Sequence, residues 1–187
     1  MKKAICKLVS DSTYGQSKFH TTEKLPKELS AAYEDRTWRE KSHYDENGIV
    51  FIPGTSFATS LREAAKYLSI QIPGNGKATF TKHFDAGIIV TQNISLGVHK
   101  DDLKKTTVFV PSDGRVGGSK RVIKHFPIVF SWSGEIEYAI MDDVITQDVF
   151  EQVLKTSGQL IGIGYWRPRN RGLYGRFSVK SIEWIEL

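Results

Sequence analysis

The pattern of hydrophobic and polar positions predicts two amphipathic helices. In residues 56–69 apolar side chains recur at the spacing of one helix face, and Thr55 or Ser56 would provide the N-cap. A second helix is predicted to begin after Thr146 and to end at Gly158. Each helix would bury its apolar face against a sheet.

Short apolar or alternating runs predict the strands. These runs are residues 3–9, 48–52, 86–91, 106–110, 126–132, 135–141 and 177–185. Ser133-Gly134 has the composition of a two-residue hairpin turn, so we expect the runs on either side of it to pair with each other.

With the polar segments set aside, the order is strand, helix, two strands, helix and strand. That is the βαββαβ arrangement of a ferredoxin-like, or RRM-like, α+β domain. We expect residues 1–187 to form one such domain, with inserted loops at about 10–47 and 72–125 and a short helix near 27–33. RNA-recognition domains hold bases on the open face of this sheet, although a fold alone does not assign that use.

Charge is distributed unevenly along the chain. Its 187 residues include 26 Lys+Arg and 21 Asp+Glu, for a net charge of +5. Residues 152–187 hold six of the basic residues and two of the acidic ones, and a second basic, glycine-rich stretch spans residues 114–125. Basic glycine-rich segments with aromatic neighbours are typical of proteins that hold single-stranded nucleic acid. A solvated surface face is the alternative.

Composition also excludes several classes of protein. The longest apolar run has about four residues, far below the roughly 20 of a membrane helix. Lys7 ends the N-terminal apolar stretch too early for a signal peptide. The single cysteine, Cys6, excludes an internal disulfide and a thiolate zinc cluster. We therefore expect a cytoplasmic protein with no membrane partner, no cofactor and no metal.

The arginine-rich segment 162–177 combines the groups that contact nucleic acid. Arginine forks pair with phosphates, glycines allow close approach, and rings stack on bases. The predicted phosphate contacts are Arg167, Arg169, Arg171 and Arg176, and the predicted stacking rings are Tyr165, Trp166 and Tyr174. Lys120, Arg121 and Lys124 would form the other lip of the groove. Alternatively, the segment is a hairpin-like loop whose rings pack in the core.

Residues 51–57, Phe-Ile-Pro-Gly-Thr-Ser-Phe, take the chain from a strand into a helix. The first amides of a helix favour an anion. Thr55 and Ser56 are therefore predicted to meet a phosphate of a bound strand. A plain turn with capping hydroxyls is the alternative interpretation.

Two of these motifs together resemble the RAMP superfamily, the ferredoxin-like RNA-binding proteins of CRISPR systems. They are residues 51–57 with Leu61-Arg62, and the late basic loop that ends in Gly-Leu-Tyr-Gly-Arg-Phe at 172–177. The resemblance is strongest to the backbone subunits that polymerise along a guide RNA. It implies side-by-side self-association along a strand, into a filament or ring.

Two further segments are similar to a family of uncharacterised phage and prophage proteins. They are Arg-Thr-Trp-Arg-Glu at 36–40 and the stretch at 72–84. This similarity implies a phage-encoded protein in the cytoplasm of a bacterial host.

Catalytic groups are sparse. Some superfamily members cut RNA with an aspartate upstream of the Ile-Pro-Gly turn, and others use a histidine, so the resemblance makes Asp35 and His43 the candidates. A surface carboxylate paired with Arg36 or Arg39 is the alternative for Asp35. The sequence has no HExxH, no GxSxG and no acidic cluster with metal spacing. It therefore favours a protein without catalytic activity.

Three functions follow from these observations. The first is non-catalytic binding of single-stranded RNA or DNA, with phosphates held by segment 162–177 and copies assembled side by side. The second is a phage-encoded mimic of a CRISPR effector subunit that binds and inhibits a host protein complex. The third is a metal-dependent or histidine-dependent RNA endonuclease. RNA and DNA stay open, because contact with the 2′-hydroxyl has no linear signature.

Overall fold

The structure, a computed structural model, describes residues 1–112, 115, 117 and 120–186. Positions 114, 116, 118 and 119 of the predicted basic stretch lie outside the described residues. The strands are β1 (Lys2–Ser10), β2 (Tyr14–Gly15), β3 (Ile49–Ile52), β4 (Ile88–Ile89), β5 (Ile94–His99), β6 (Lys104–Pro111), β7 (Arg121–Val129), β8 (Ser133–Ile140) and β9 (Phe177–Glu186). The α-helices are α1 (Ser30–Thr37), α2 (Gly54–Leu68), α3 (Thr81–Ala86) and α4 (Gln147–Thr156).

Four strands form an antiparallel sheet in the order β4-β8-β1-β9. Along the chain the elements β1, α2, β4, β8, α4 and β9 give this sheet the βαββαβ connectivity of a ferredoxin-like fold. The apolar residues of α2 and α4 share one core with the sheet. The predicted α+β, ferredoxin-like fold is confirmed.

Side-chain periodicity explains why these elements were predictable. Alternate residues of β1, namely Ala4, Cys6 and Leu8, are fully buried on the helix side of the sheet. Phe57 and Leu61 of α2 lie one turn apart and are buried in the same core. Both periods, two for the strand and about 3.6 for the helix, can be read directly from the sequence.

The start of α4 agrees with the prediction, but its end does not. The Thr146 hydroxyl accepts a hydrogen bond from the Val149 amide at 3.4 Å and so caps the helix. Beyond α4 the chain continues through a π-helical turn, Ser157–Ile161. Within this turn, a Cβ on Gly158 would lie 2.1 Å from the carbonyl oxygen of Phe177. Gly158 therefore permits close packing against β9 and does not end the helix.

The predicted hairpin at Ser133-Gly134 is wrong. Both residues belong to β8, whereas residues 126–129 belong to β7 in a second sheet, ordered β2-β7-β6. Between the two strands, the Trp132 side chain is buried in the core and its backbone N–H donates to the Ser10 hydroxyl at 2.9 Å. This anchor directs the chain from the second sheet into the first. The two-residue strand β4 takes the place that the predicted hairpin partner would have had.

The polar segments contain short elements of their own. Residues 10–47 include β2, a 3₁₀ turn at Trp38–Lys41, and α1, which spans Ser30–Thr37 instead of 27–33. Residues 72–125 include α3, β4, β5, β6 and the start of β7, and β5 pairs with β3 in a small two-stranded sheet. Within the described part of the chain, no helix is both long and apolar enough to cross a membrane.

Candidate nucleic-acid interface

The arginine-rich segment is anchored at its base to the strands beside it. The Ile163 amide donates to the Gly175 carbonyl at 3.0 Å, and the Tyr165 amide donates to the Gly15 carbonyl at 2.7 Å. Between them Gly164 has a φ of +75°, and a Cβ there would lie 2.3 Å from the Gly15 oxygen. Only glycine combines a positive φ with so close an approach, so Gly164 allows the segment to pack against β2.

Gly164→Ala is expected to lower the free energy of unfolding by about 2 kcal/mol, because strained backbone costs ~1–3 kcal/mol and the close approach adds a clash. Gly97→Ala is the matched control, since Gly97 has a φ of +63° but its Cβ would meet nothing within 4 Å. Chemical denaturation of both variants measures the difference. Equal losses would show that the contact with β2 does not stabilise the segment.

The predicted stacking rings are partly used within the protein. One face of Tyr165 stacks on Phe126 of β7, with ring centroids 3.8 Å apart and planes 13° apart. Burial raises the pKa of Tyr165 above its ordinary value. Trp166 is 40% exposed and meets Tyr174 edge-on at 5.2 Å. Of the three rings, Trp166 presents the most accessible surface for a base.

The predicted phosphate-binding arginines differ in their partners. The Arg167 guanidinium lies 2.8 Å from Glu63 of α2, and Arg169 lies 3.7 Å from the same carboxylate. Arg176 donates to the carbonyl of Gln159 at 3.1 Å. Arg171 is exposed. Glu63 therefore neutralises part of the charge that the sequence assigns to phosphates.

The residues predicted to form the other lip of the groove lie on β7 and directly before it. Lys120 and Arg121 are exposed, and the Arg121 guanidinium sits 6.0 Å from the centre of the Phe109 ring. Lys124 lies 3.6 Å from the buried carboxylate of Glu34. Arg121 and Lys124 line a depression between β7 and α1, and Lys120 does not.

Three adjoining cavities run from β7 to the start of α2. Their volumes are about 560, 520 and 200 Å³. The first and second share Tyr33 and Lys124, and the second and third share Ser17 and Lys18. Because neighbouring cavities share lining residues, we group the three together and call them the basic groove. Its cations are Lys18, Lys24, Lys41, Arg121 and Lys124, and its rings are Tyr14, Phe19, His20, Tyr33, His43, Phe109 and Phe126.

A buried ion pair forms the floor of the basic groove. The carboxylate of Glu34 accepts hydrogen bonds from the Lys41 ammonium and, at 2.7 Å, from the amide of His125. Burial alone would raise the pKa of Glu34, but these two donors outweigh it and hold the pKa below its ordinary value. Lys41 also donates to the His125 carbonyl at 2.8 Å. Glu34, which lines the groove, is thus already compensated by a lysine.

The start of α2 borders the third cavity. Ser56 lines it beside Gly164 and His43. Thr55 is exposed on the same turn. The Gly54 amide already donates to the Asn93 side chain at 3.0 Å, so at least one amide of this helix end is occupied.

The structure brings some of the predicted binding residues together and separates others. Ser56, Arg121 and Lys124 line the basic groove, and Tyr165 reaches it through Phe126. Arg167 and Arg169 turn instead towards α2. The groove residues that the sequence analysis missed include Lys18, Phe19, Lys24, Tyr33 and Phe109. The sequence signal that could have found them is a cation next to an aromatic residue, as in Lys18-Phe19.

The two candidate catalytic residues lie apart. Lys105 forms an ion pair with Asp35, and its hydrogen bond lowers the pKa of that carboxyl. The nearest histidine to Asp35 is His125, at 3.7 Å, and not His43. Burial, helped by the charge of Lys18, lowers the pKa of His43. Among the described residues, no three His, Cys, Asp or Glu side chains are grouped so as to hold a metal ion.

The open face of the main sheet lacks the rings that stack bases in RNA-recognition domains. Lys3, Ile5 and Lys7 of β1 alternate with the buried residues and so point to this face. Their cross-strand partners on this face are Glu135, Glu137 and Ala139 of β8 and Ser181, Glu183 and Ile185 of β9. None of these is aromatic, so the basic groove is the better candidate for contact with bases.

Comparisons with known proteins gave distant structural likenesses. No protein-family model matches the chain, and no curated protein matches it. Among solved structures, Cmr6 from Pyrococcus furiosus aligns with a TM-score of 0.48 at 12% identity, over 96% of this chain and 99% of that one. A chain of a CRISPR RNA-guided surveillance complex aligns with a TM-score of 0.33 at 11% identity, over 84% of this chain and 56% of that one. The RAMP resemblance of the two motifs stays a prediction.

Proposed function

We propose that this protein binds single-stranded nucleic acid, RNA or DNA, along the basic groove and without cleaving it. The observation that supports the proposal is the adjacency of the three cavities, with cations and exposed rings on their walls. Cations that follow a backbone and rings on which successive bases stack are the usual means of holding a single strand. With both in one groove, the cations would contact the phosphates and the rings would contact the bases.

The groove residues divide into two roles. Lys18 and Lys24 are exposed and lie in different cavities, so they would contact phosphates some nucleotides apart. Phe19 is 84% exposed and Phe109 is 60% exposed. Rings this exposed contribute little to the stability of the fold, and stacking on a base would bury them. Arg171 and Trp166 would extend the contact with nucleic acid beyond Gly164. Side-by-side assembly of copies of the chain along one strand is part of the same proposal.

The stacking part of the proposal is tested with two alanine variants. Phe19→Ala and Phe109→Ala should each weaken binding of a fluorescein-labelled oligo(U) or oligo(dT) about fivefold or more, because one stacked base contributes ~1–3 kcal/mol. Fluorescence polarisation measures the affinities. Both rings are exposed, so the variants should fold as the wild type does.

Phe130→Ala is the matched control for these variants. Phe130 is 66% exposed, and it lines none of the three cavities that form the groove. Its loss should leave affinity unchanged. If all three variants bind equally well, the groove rings do not contact bases and the stacking part of the proposal is wrong.

A further inference from the structure

The outer edge of β7 is paired with another strand only at its end. β6 pairs along one side of β7, whereas on the other side β2 covers just Ile128 and Val129. Beyond that point α1 lies alongside the strand without joining the sheet. The first cavity, of about 560 Å³, separates α1 from residues 121–124.

Hydrogen bonds show which backbone groups point to this outer edge. The carbonyl of Pro127 accepts from the Gln16 amide at 3.0 Å. Two residues earlier, the amide of His125 donates to Glu34 and its carbonyl accepts from Lys41. In an antiparallel pair, outward-pointing residues alternate with residues bonded to the partner strand. The N–H and C=O of Ile123 therefore point outward too.

No protein group satisfies Ile123 on this side within the described part of the chain. The side chains of Glu34 and Lys41 bond to the backbone N–H and C=O of His125, as a neighbouring strand would. They do not bond to the backbone of Ile123. An open strand edge is a template for pairing with another chain. Among the described residues, the edge at 121–124 faces the first cavity.

The side chains around the first cavity indicate what would fill it. Ile123 is 47% exposed and Phe109 is 60% exposed, so the cavity offers apolar surface next to the open edge. Lys24, Arg121 and Lys124 surround it with positive charge. Among the described residues that line it, the one acid is Glu34, which is neutralised by Lys41.

We propose that the outer edge of β7 binds an extended acidic peptide of another protein, which adds as a strand beside Ile123 and competes with nucleic acid for the first cavity. The peptide backbone would donate to and accept from Ile123, as in other cases of strand addition. Alternate side chains would lie on Ile123 and Phe109, and carboxylates would meet Lys24, Arg121 or Lys124. Residues 121–124 span about 10 Å, which suits a peptide of about four paired residues.

The probe is a fluorescein-labelled hexapeptide of alternating Glu and Val, titrated with the full chain and followed by fluorescence polarisation. We expect saturable binding, and at least a tenfold loss when every Glu is replaced by Lys. A third peptide, N-methylated at alternate residues, keeps the side chains but loses backbone donors, and it should bind at least tenfold more weakly. This comparison needs no change in the protein.

The variant Ile123→Pro instead changes the protein, because it removes the outward-pointing N–H of residue 123. The change should leave the β6–β7 ladder intact, because Pro127 already occupies an outward-pointing position of the same strand. We expect peptide binding to fall at least tenfold, and hydrogen exchange at the Ile123 amide of the wild type to slow when peptide is added. Ile123→Ala, which keeps the N–H, is the control and should retain measurable binding.

Several outcomes would overturn the proposal. Equal affinity for the acidic and basic peptides would exclude an acidic partner, and equal affinity for the N-methylated and unmodified peptides would exclude strand addition. So would unchanged exchange at Ile123, or an oligonucleotide that binds while no peptide does. In that last case the first cavity would belong to the nucleic-acid groove alone.

Discussion

Replacing Lys18 and Lys24 together by alanine is expected to weaken binding of a single-stranded oligonucleotide by on the order of tenfold at low salt. Both lysines are exposed on the basic groove, and neither takes part in the buried Glu34–Lys41 pair. Each lost phosphate contact should also reduce the slope of log affinity against log salt by about 0.7. The variant slope should thus be shallower by about 1.4. Fluorescence polarisation at several salt concentrations measures both effects.

The matched control removes the same charge elsewhere. Lys66 on α2 and Lys180 on β9 are exposed and line none of the three cavities. Alanine at both positions should change affinity much less than the groove variant does, and should leave the salt slope unchanged. If the two double variants lose affinity equally, net charge alone attracts the ligand and the groove is not its site.

Lys41→Met is expected to destabilise the protein by about 3 kcal/mol, because the buried carboxylate of Glu34 loses its hydrogen-bonded cation and keeps only the partly exposed Lys124, 3.6 Å away. The Glu34 side chain is 4% exposed, and Lys41 also bonds to the His125 carbonyl. Chemical denaturation at neutral pH measures the loss. The double variant Glu34→Gln with Lys41→Met should recover much of it, since an amide can still accept the His125 N–H without burying a charge.

The same variant should show a characteristic dependence on pH. In the wild type the folded-state pKa of Glu34 is lowered, so Glu34 stabilises the fold above its unfolded pKa, and this contribution is lost as pH falls. In Lys41→Met, burial raises the pKa of Glu34 and protonation relieves the unpaired charge. The stability gap between the two proteins should therefore narrow as pH falls. A gap that is constant with pH, or a loss below about 1 kcal/mol, would mean that the ion pair does not hold α1 on β7.

Local periodicity was enough to predict the ferredoxin-like core. The buried alternation of Ala4, Cys6 and Leu8 and the apolar face of α2 are both visible over a few residues. The second strand of the βαββαβ order, β4 at the edge of the sheet, was placed wrongly because it has only two residues, while residues 126–132 have the composition of a longer core strand. Which of the two joins the sheet depends on where Trp132 is buried, and this is a tertiary contact.

The basic groove could be predicted only in part. Arg121, Lys124 and Ser56 stand out as a basic stretch and a helix start. Their companions Lys18 and Tyr33 lie in a polar segment without periodicity. Contacts between distant residues bring the parts together, such as Glu34 with His125, 91 positions apart. Arg167 likewise meets Glu63 across 104 positions, so no local pattern indicates that its charge is compensated.

The central claim is that the basic groove holds the phosphates and bases of a single strand. The most direct measurement is the affinity of the wild-type protein for labelled single-stranded RNA and for DNA of the same sequence, from low to moderate salt. We predict binding whose log affinity falls with log salt with a slope of about −2 or steeper, since each phosphate contact contributes about −0.7. The same titration shows which of the two ligands is preferred. A slope near zero, or no binding of either strand at low salt, would contradict the claim.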